Sequence, residues 1–110
     1  MIHQGQIYLA QLSPTFGHEQ SGTRPVLILQ NNTGNKSLNT TIILPVTSRV
    51  DLADKAGTWL VKKEDSGLKK DSLILLFQIK TIDKRRLMKK IGHLNLDEVN
   101  LIKNELNKLF

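Results

Sequence analysis

The stretch GHEQSGTRPVLIL, Gly17 to Leu29, runs a polar loop straight into a buried strand. Its final residues Val26-Leu27-Ile28-Leu29 show no polar–apolar alternation, so Pro25 to Gln30 reads as a strand covered on both faces. Ahead of it, His18, Glu19, Gln20, Ser21 and Thr23 are more chemistry than a simple connector needs. Arg24 stands at the junction. Pro25 fixes its own φ and biases Arg24 toward an extended backbone, so the arginine is displayed from a defined position.

Working outward, the rest of the first half also reads as short strands. Gln6 to Leu12 alternates, with Ile7 and Leu9 facing opposite to Tyr8 and Ala10. Ser13 to Thr23 is a loop carrying Pro14, Gly17 and Gly22. Asn31 to Asn39 holds four asparagines and Gly34, and reads as a turn or wide loop. Thr40 to Val46 is a third strand whose Pro45 suggests an edge or a bulge, and bulges re-aim the side chains beside them. Thr58 to Lys62 and Ser72 to Gln78 are two more strands, the second with a buried run from Leu73 to Phe77. Met88 to Ile91 is a last short strand or the extension of a turn. Short strands joined by polar loops predict a mainly β domain, a small antiparallel barrel. At the C-terminus the period becomes helical. Val99, Ile102, Leu106 and Leu109 share a face, and Asn95 with Glu98 resembles a capping box, predicting an amphipathic helix over Leu96 to Leu109.

The whole chain bounds these elements. At 110 residues it forms one domain, 1–110, with a single core. The absence of cysteine excludes a disulfide framework, a thiolate metal site and a Cys nucleophile, and fits a cytoplasmic protein. No apolar run is long enough to span a membrane, and the N-terminus lacks the pattern of a signal peptide. A net charge of +6 and a sequence pI of about 9.8 favour a polyanionic partner, of which nucleic acid is the commonest.

Several residues could carry chemistry. Arginine presents a permanently charged planar fork that matches phosphate oxygens, and Arg24 is the first candidate; its bland role is to close the loop by pairing with Glu19. Thr47 and Ser48 follow Pro45, and two adjacent hydroxyls at a strand end bind phosphate or, more often, cap a turn. Arg49 follows them. His18 is the loop residue able to move protons near neutrality, since an unperturbed histidine titrates at about 6.5. A basic segment holds Lys80, Lys84, Arg85, Arg86, Lys89 and Lys90 against a single acid, Asp83. It reads as a phosphate-backbone footprint or as a solvated turn, with Asp83 a turn cap or an arginine partner rather than a catalyst.

In order along the chain, Gly5-Gln6-Ile7-Tyr8-Leu9, Leu12-Ser13-Pro14-Thr15, Gly17-His18-Glu19-Gln20, Gly22-Thr23-Arg24-Pro25-Val26-Leu27, Leu44-Pro45-Val46-Thr47-Ser48 and Gln78-Ile79-Lys80-Thr81-Ile82-Asp83-Lys84 resemble the MazF/PemK/Kid family of toxin endoribonucleases. The Glu-Gln-x-Gly-x-Arg-Pro-Val block, with Pro-Val-Thr-Ser and Gln-x-x-Thr-Ile-Asp-Lys downstream, carries most of the specificity. The resemblance implies an SH3-like barrel with a C-terminal helix, a homodimer, metal-free cleavage of single-stranded RNA with no cofactor, and neutralisation by a small antitoxin. It implies that Arg24 and Thr47 are the central catalytic pair, that Ser48 assists substrate binding and that Gln78 shapes the site. The loop around His18, with Glu19 and Gln20, would cover the RNA. This chain departs from the pattern in having Gln6 and Phe77 where many relatives carry acids, and Leu75 where some carry an arginine. Ser21 replaces a common glycine. A mechanism that needs those acids or that arginine cannot operate here.

Metal-free RNA cleavage usually turns the ribose 2′-OH on its own phosphate. Arg24 suits stabilisation of the anionic phosphorane, and Thr47 suits positioning by a hydrogen bond. His18 is then the best acid–base candidate, with Glu19 second. A non-cleaving RNA-binding barrel is the alternative. A gyrase-poisoning relative on the same fold would depend on a C-terminal tryptophan, whereas this chain ends Asn107-Lys108-Leu109-Phe110.

Overall fold

A computed structural model describes residues 1–12, 22–53 and 55–110. It contains strands β1 (Gln6–Gln11), β2 (Thr23–Ile28), β3 (Thr40–Thr47), β4 (Thr58–Val61), β5 (Ser72–Leu75), β6 (Lys80–Asp83) and β7 (Leu87–His93), and helices α1 (Asn32–Ser37), α2 (Lys63–Ser66) and α3 (Leu96–Asn107). The strands form an antiparallel sheet in the order β4-β5-β3-β2-β1-β7, with β6 also on β3. Among the described residues no ladder joins β4 to β7, so the expected barrel is a curled, barrel-like sheet that stays open.

The run in β2 is buried because the sheet is covered on both sides. Leu27 and Leu29 enter one apolar cluster with Ile7, Leu44, Ile74, Val99 and Ile102. Val26 and Ile28 enter a second with Ala10, Ile43 and Ile82. Alternate side chains thus serve alternate cores, which is why the run lacks a polar face.

β3 is the pivot. One edge pairs with β2 through Val26↔Pro45, Leu27↔Leu44 and Ile28↔Ile43. The other edge pairs with β6 as far as Ile43, then with β5 from Val46 onward. Pro45 therefore lies in a central strand and not at a sheet edge as its lack of an N–H suggests. It falls in the gap where β3 changes partners, and such a gap in the ladder tolerates a residue that cannot donate. The bulges occur instead in β7. Its register with β1 skips Ile91, between Ile7↔Gly92 and Tyr8↔Lys90, and skips Met88, between Leu9↔Lys89 and Ala10↔Leu87.

Two other expectations are corrected. Asn31 to Asn39 is not an open loop, since α1 forms within it, capped by Asn31 Oδ1 accepting from the Gly34 N–H at 2.8 Å. Asn35 is buried there and bonded at both ends of its amide: Nδ2 donates to Gln30 O (2.8 Å), while Oδ1 accepts from Thr41 Oγ1 (2.8 Å) and Gln30 Nε2 (3.1 Å). The strand over Ser72 to Gln78 ends at Leu75, and a 3-10 turn over Leu76–Gln78 leaves Phe77 54% exposed. The basic segment runs through β6, a 3-10 turn over Lys84–Arg86, and β7, which contains the short strand expected over Met88 to Ile91.

α3 forms where its period predicts. Asn95 Oδ1 accepts from the Glu98 N–H at 2.8 Å, and Val99, Ile102 and Leu106 face the core. Burying such side chains is worth about 1.5–3 kcal/mol each. Leu109 lies past the helix end and is exposed. Glu98 does not complete the capping box; its Oε2 accepts from Trp59 Nε1 at 3.0 Å and ties α3 to β4.

α2 is held against β7 at Gly92. A Cβ there would lie 2.4 Å from the backbone oxygen of Ser66 and 3.2 Å from Leu68 Cδ2. The obstacle is backbone and cannot swing aside. Gly92→Ala is expected to destabilise the fold by roughly 1–3 kcal/mol, the usual range for overpacking. Urea unfolding checks this, and an unchanged midpoint would mean that α2 yields freely.

Candidate functional site

A cleft of about 680 Å³ opens where β1, the start of β2, the end of β3, the α2–β5 connection and β7 converge. Continuing the β2–β3 register two residues beyond Val26↔Pro45 sets Arg24 across from Thr47. Both line the cleft, with Ser48 beside them. Two residues far apart in sequence thus meet because antiparallel pairing brings the start of one strand to the end of the next.

Arg24 is exposed at the cleft mouth, and among the described residues no carboxylate pairs with it. Thr47 Oγ1 accepts from the Arg49 N–H at 3.1 Å, so it does cap the turn after β3. A hydroxyl that accepts in this way keeps its own proton to donate. The capping and binding roles are therefore compatible. Ser48 is exposed beside it, its carbonyl accepting from the Val50 N–H at 2.8 Å.

The remaining expected site residues lie elsewhere or outside the described residues. His18, Glu19 and Gln20 fall in the latter group. Arg49 does not line the cleft; it grips Asp51 through Nε–Oδ1 (3.0 Å) and Nη2–Oδ2 (2.8 Å). The hydrogen-bonded guanidinium holds the Asp51 carboxyl below the usual carboxylate range, and the carboxylate raises the arginine in turn. Gln78 and Lys80 are exposed at the β5–β6 junction, outside the cleft lining. Lys84, Arg85 and Arg86 also lie outside it and are engaged within the chain. The Lys84 ammonium donates to the Asn35 carbonyl, Arg86 Nη1 donates to the Gln11 carbonyl (3.1 Å), and Arg85 pairs with Asp83 at 3.0 Å. Asp83 is both a turn cap, accepting from the Arg85 N–H at 2.8 Å, and an arginine partner; these bonds lower its pKa.

Lys89 and Lys90 are the part of the basic segment that reaches the cleft, joined there by Lys69 and Lys70 from the α2–β5 connection. Lys69 and Lys70 escaped the sequence reading because two lysines before a buried strand resemble ordinary surface. The one available signal was Gly67, whose φ of +77° ends α2 and turns the chain into the cleft wall. Gln6 lies outside this cleft; its Oε1 accepts from the His3 N–H (2.8 Å) and the Tyr8 hydroxyl (3.2 Å). Among the described residues no three His, Asp or Glu side chains converge as metal ligands.

These strands and the C-terminal helix are arranged as in the MazF toxins. Residues 3–110 match the PemK-like, MazF-like toxins of type II toxin-antitoxin systems, and the chain belongs to that family. The structure resembles the MazE–MazF complex (Form-II) of Deinococcus radiodurans with a TM-score of 0.80 at 23% identity, covering 98% of this chain and 94% of that one. It resembles the Mycobacterium tuberculosis toxin MazF-mt6 with a TM-score of 0.75 at 24% identity, covering 94% and 93%. A mycobacterial endoribonuclease in complex with its cognate antitoxin matches with a TM-score of 0.77 at 20% identity, covering 98% and 93%.

Proposed function

We propose that this chain is a metal-independent endoribonuclease, the toxin of a type II pair, which cuts single-stranded RNA through the ribose 2′-OH in the Arg24–Thr47 cleft. The observation that carries the reading is the meeting of Arg24, Thr47 and Ser48 in one cationic cleft. Arg24 stabilises the phosphorane, Thr47 donates a hydrogen bond to a phosphate oxygen or the 2′-OH, and Ser48 helps to hold substrate. His18 is assigned the proton transfers, with Glu19 second and Gln20 in the covering loop. Arg49, Gln78, Lys80, Lys84, Arg85 and Arg86 are assigned to more distant contacts with the RNA.

The active species is a two-fold homodimer in the cytoplasm. Its cognate antitoxin carries a disordered acidic tail that occupies the cleft and competes for the phosphate sites. The family and the excess of basic residues support this. Incubation of a long single-stranded RNA with the pure protein tests the activity. Cleavage at a defined set of sites is expected. A protein that retards the RNA and leaves it intact is a binding module, and the endoribonuclease reading fails.

A further inference from the structure

The cleft has a second wall that the proposed chemistry does not use. Five of its fourteen lining residues are cations, Arg24 with Lys69, Lys70, Lys89 and Lys90, and among the described residues none is an acid. The four lysines are exposed, and none has an ion-pair partner among the described residues. The nearest acid in sequence, Asp71, is turned away: Oδ1 accepts from the Lys63 N–H at 2.9 Å and Oδ2 faces Lys62 at 4.0 Å. The lysines come as two adjacent pairs from two elements, and each pair is set by local backbone. Lys69 and Lys70 follow the left-handed Gly67 that ends α2. Lys89 and Lys90 sit between the two irregularities of β7. In a regular strand neighbouring side chains point to opposite faces, and bulges break that rule.

Single-strand binders usually combine a cationic groove with aromatic platforms on which bases stack. This cleft has the first and, among the described residues, lacks the second. Among the described residues its lining holds no aromatic side chain; the apolar contribution comes from Leu9, Pro25, Val46, Leu68 and Ile91.

We propose that Lys69, Lys70, Lys89 and Lys90 form a sequence-independent grip on the RNA sugar-phosphate backbone beside the scissile phosphate. The grip rests on the endoribonuclease reading for its ligand class. The four lysines hold the strand by charge, so they supply affinity while base selection is made elsewhere. An acidic protein segment would suit the same charges, but RNA is favoured because the lysines line the same cleft as Arg24 and Thr47.

The experiment measures fluorescence anisotropy of a short single-stranded RNA, 2′-O-methylated throughout so that it cannot be cut, between low and moderate salt. Each lost lysine–phosphate contact should reduce the slope of log K against log salt by about 0.7. The variants Lys69→Gln/Lys70→Gln and Lys89→Gln/Lys90→Gln should each lower it by about 1.4. Over the tenfold salt range below 1 M that slope corresponds to roughly 25-fold weaker binding at 0.1 M. Restoring charge with arginine should recover the slope. On cleavable RNA the loss should fall on KM and not on kcat. A control, Lys36→Gln/Lys55→Gln, removes the same charge outside the cleft and should leave the slope near wild type. The proposal is overturned if the cleft variants match the control. It is also overturned if they keep RNA binding and lose only the cognate acidic antitoxin, which would assign the wall to a protein partner. If wild-type protein binds with the expected slope yet cuts no unmodified RNA, the grip stands and the endoribonuclease reading fails.

Discussion

Arg24→Lys is expected to cut RNA roughly 100- to 1000-fold more slowly than wild type, the usual loss when one oxyanion donor is removed, and Arg24→Ala more slowly still. The substitution keeps a positive charge at the cleft mouth but replaces a planar two-pronged donor with a single ammonium. A loss of this size would mean that geometry matters as well as charge. Stability should not change, because Arg24 is exposed and makes no ion pair among the described residues. Thr47→Ala should lose less, since a neutral hydrogen bond contributes less than a charge-assisted one. It also forfeits the bond from the Arg49 N–H, so Thr47→Ser, which keeps the hydroxyl, is the informative companion. Single-turnover rates at saturating RNA, with unfolding curves alongside, make the measurement. Near wild-type turnover by Arg24→Ala would remove Arg24 from the site.

The β2 run and the C-terminal helix were legible because each records its own burial. Val26 to Leu29 lacks a polar face since both faces are covered, and Val99, Ile102 and Leu106 repeat because one helical stripe meets the core. Arg24 and Thr47 were candidates through the motifs around them, but no local pattern reveals that the β2–β3 register, continued past Val26↔Pro45, sets them opposite one another. What stayed hidden was decided by tertiary partners. Asn35 reads as a turn residue by composition, yet it is buried because Gln30 and Thr41 satisfy its amide. Pro45 reads as an edge residue, yet it is central because β3 exchanges β6 for β5 beside it. Phe77 continues an apolar run in sequence, yet the chain leaves the sheet at Leu75 and turns it outward. Charge gave the poorest guide to position. The densest basic cluster is divided, with Lys84, Arg85 and Arg86 bonded within the chain while Lys89 and Lys90 reach the cleft.

The reaction should stop completely at a cut site whose 5′ ribose lacks its 2′-hydroxyl. The cleft offers the Arg24 guanidinium and two hydroxyls, Thr47 and Ser48. Among the described residues the lining includes no His, Asp or Glu to activate either hydroxyl as a nucleophile. The nucleophile in this reading is therefore the substrate's own 2′-oxygen. Its proton leaves to a base, assigned to His18, as the oxygen attacks the adjacent phosphorus. The 5′-oxygen then departs with a proton, leaving a 2′,3′-cyclic phosphate on one fragment and a 5′-hydroxyl on the other. A single deoxy substitution removes the nucleophile while preserving every phosphate and every lysine contact, so binding should persist as cleavage vanishes. The unmodified RNA should be cut equally well in EDTA. End-group analysis and gel mapping of matched ribo and deoxy substrates make the comparison. Undiminished cleavage of the deoxy substrate would eliminate the 2′-OH mechanism.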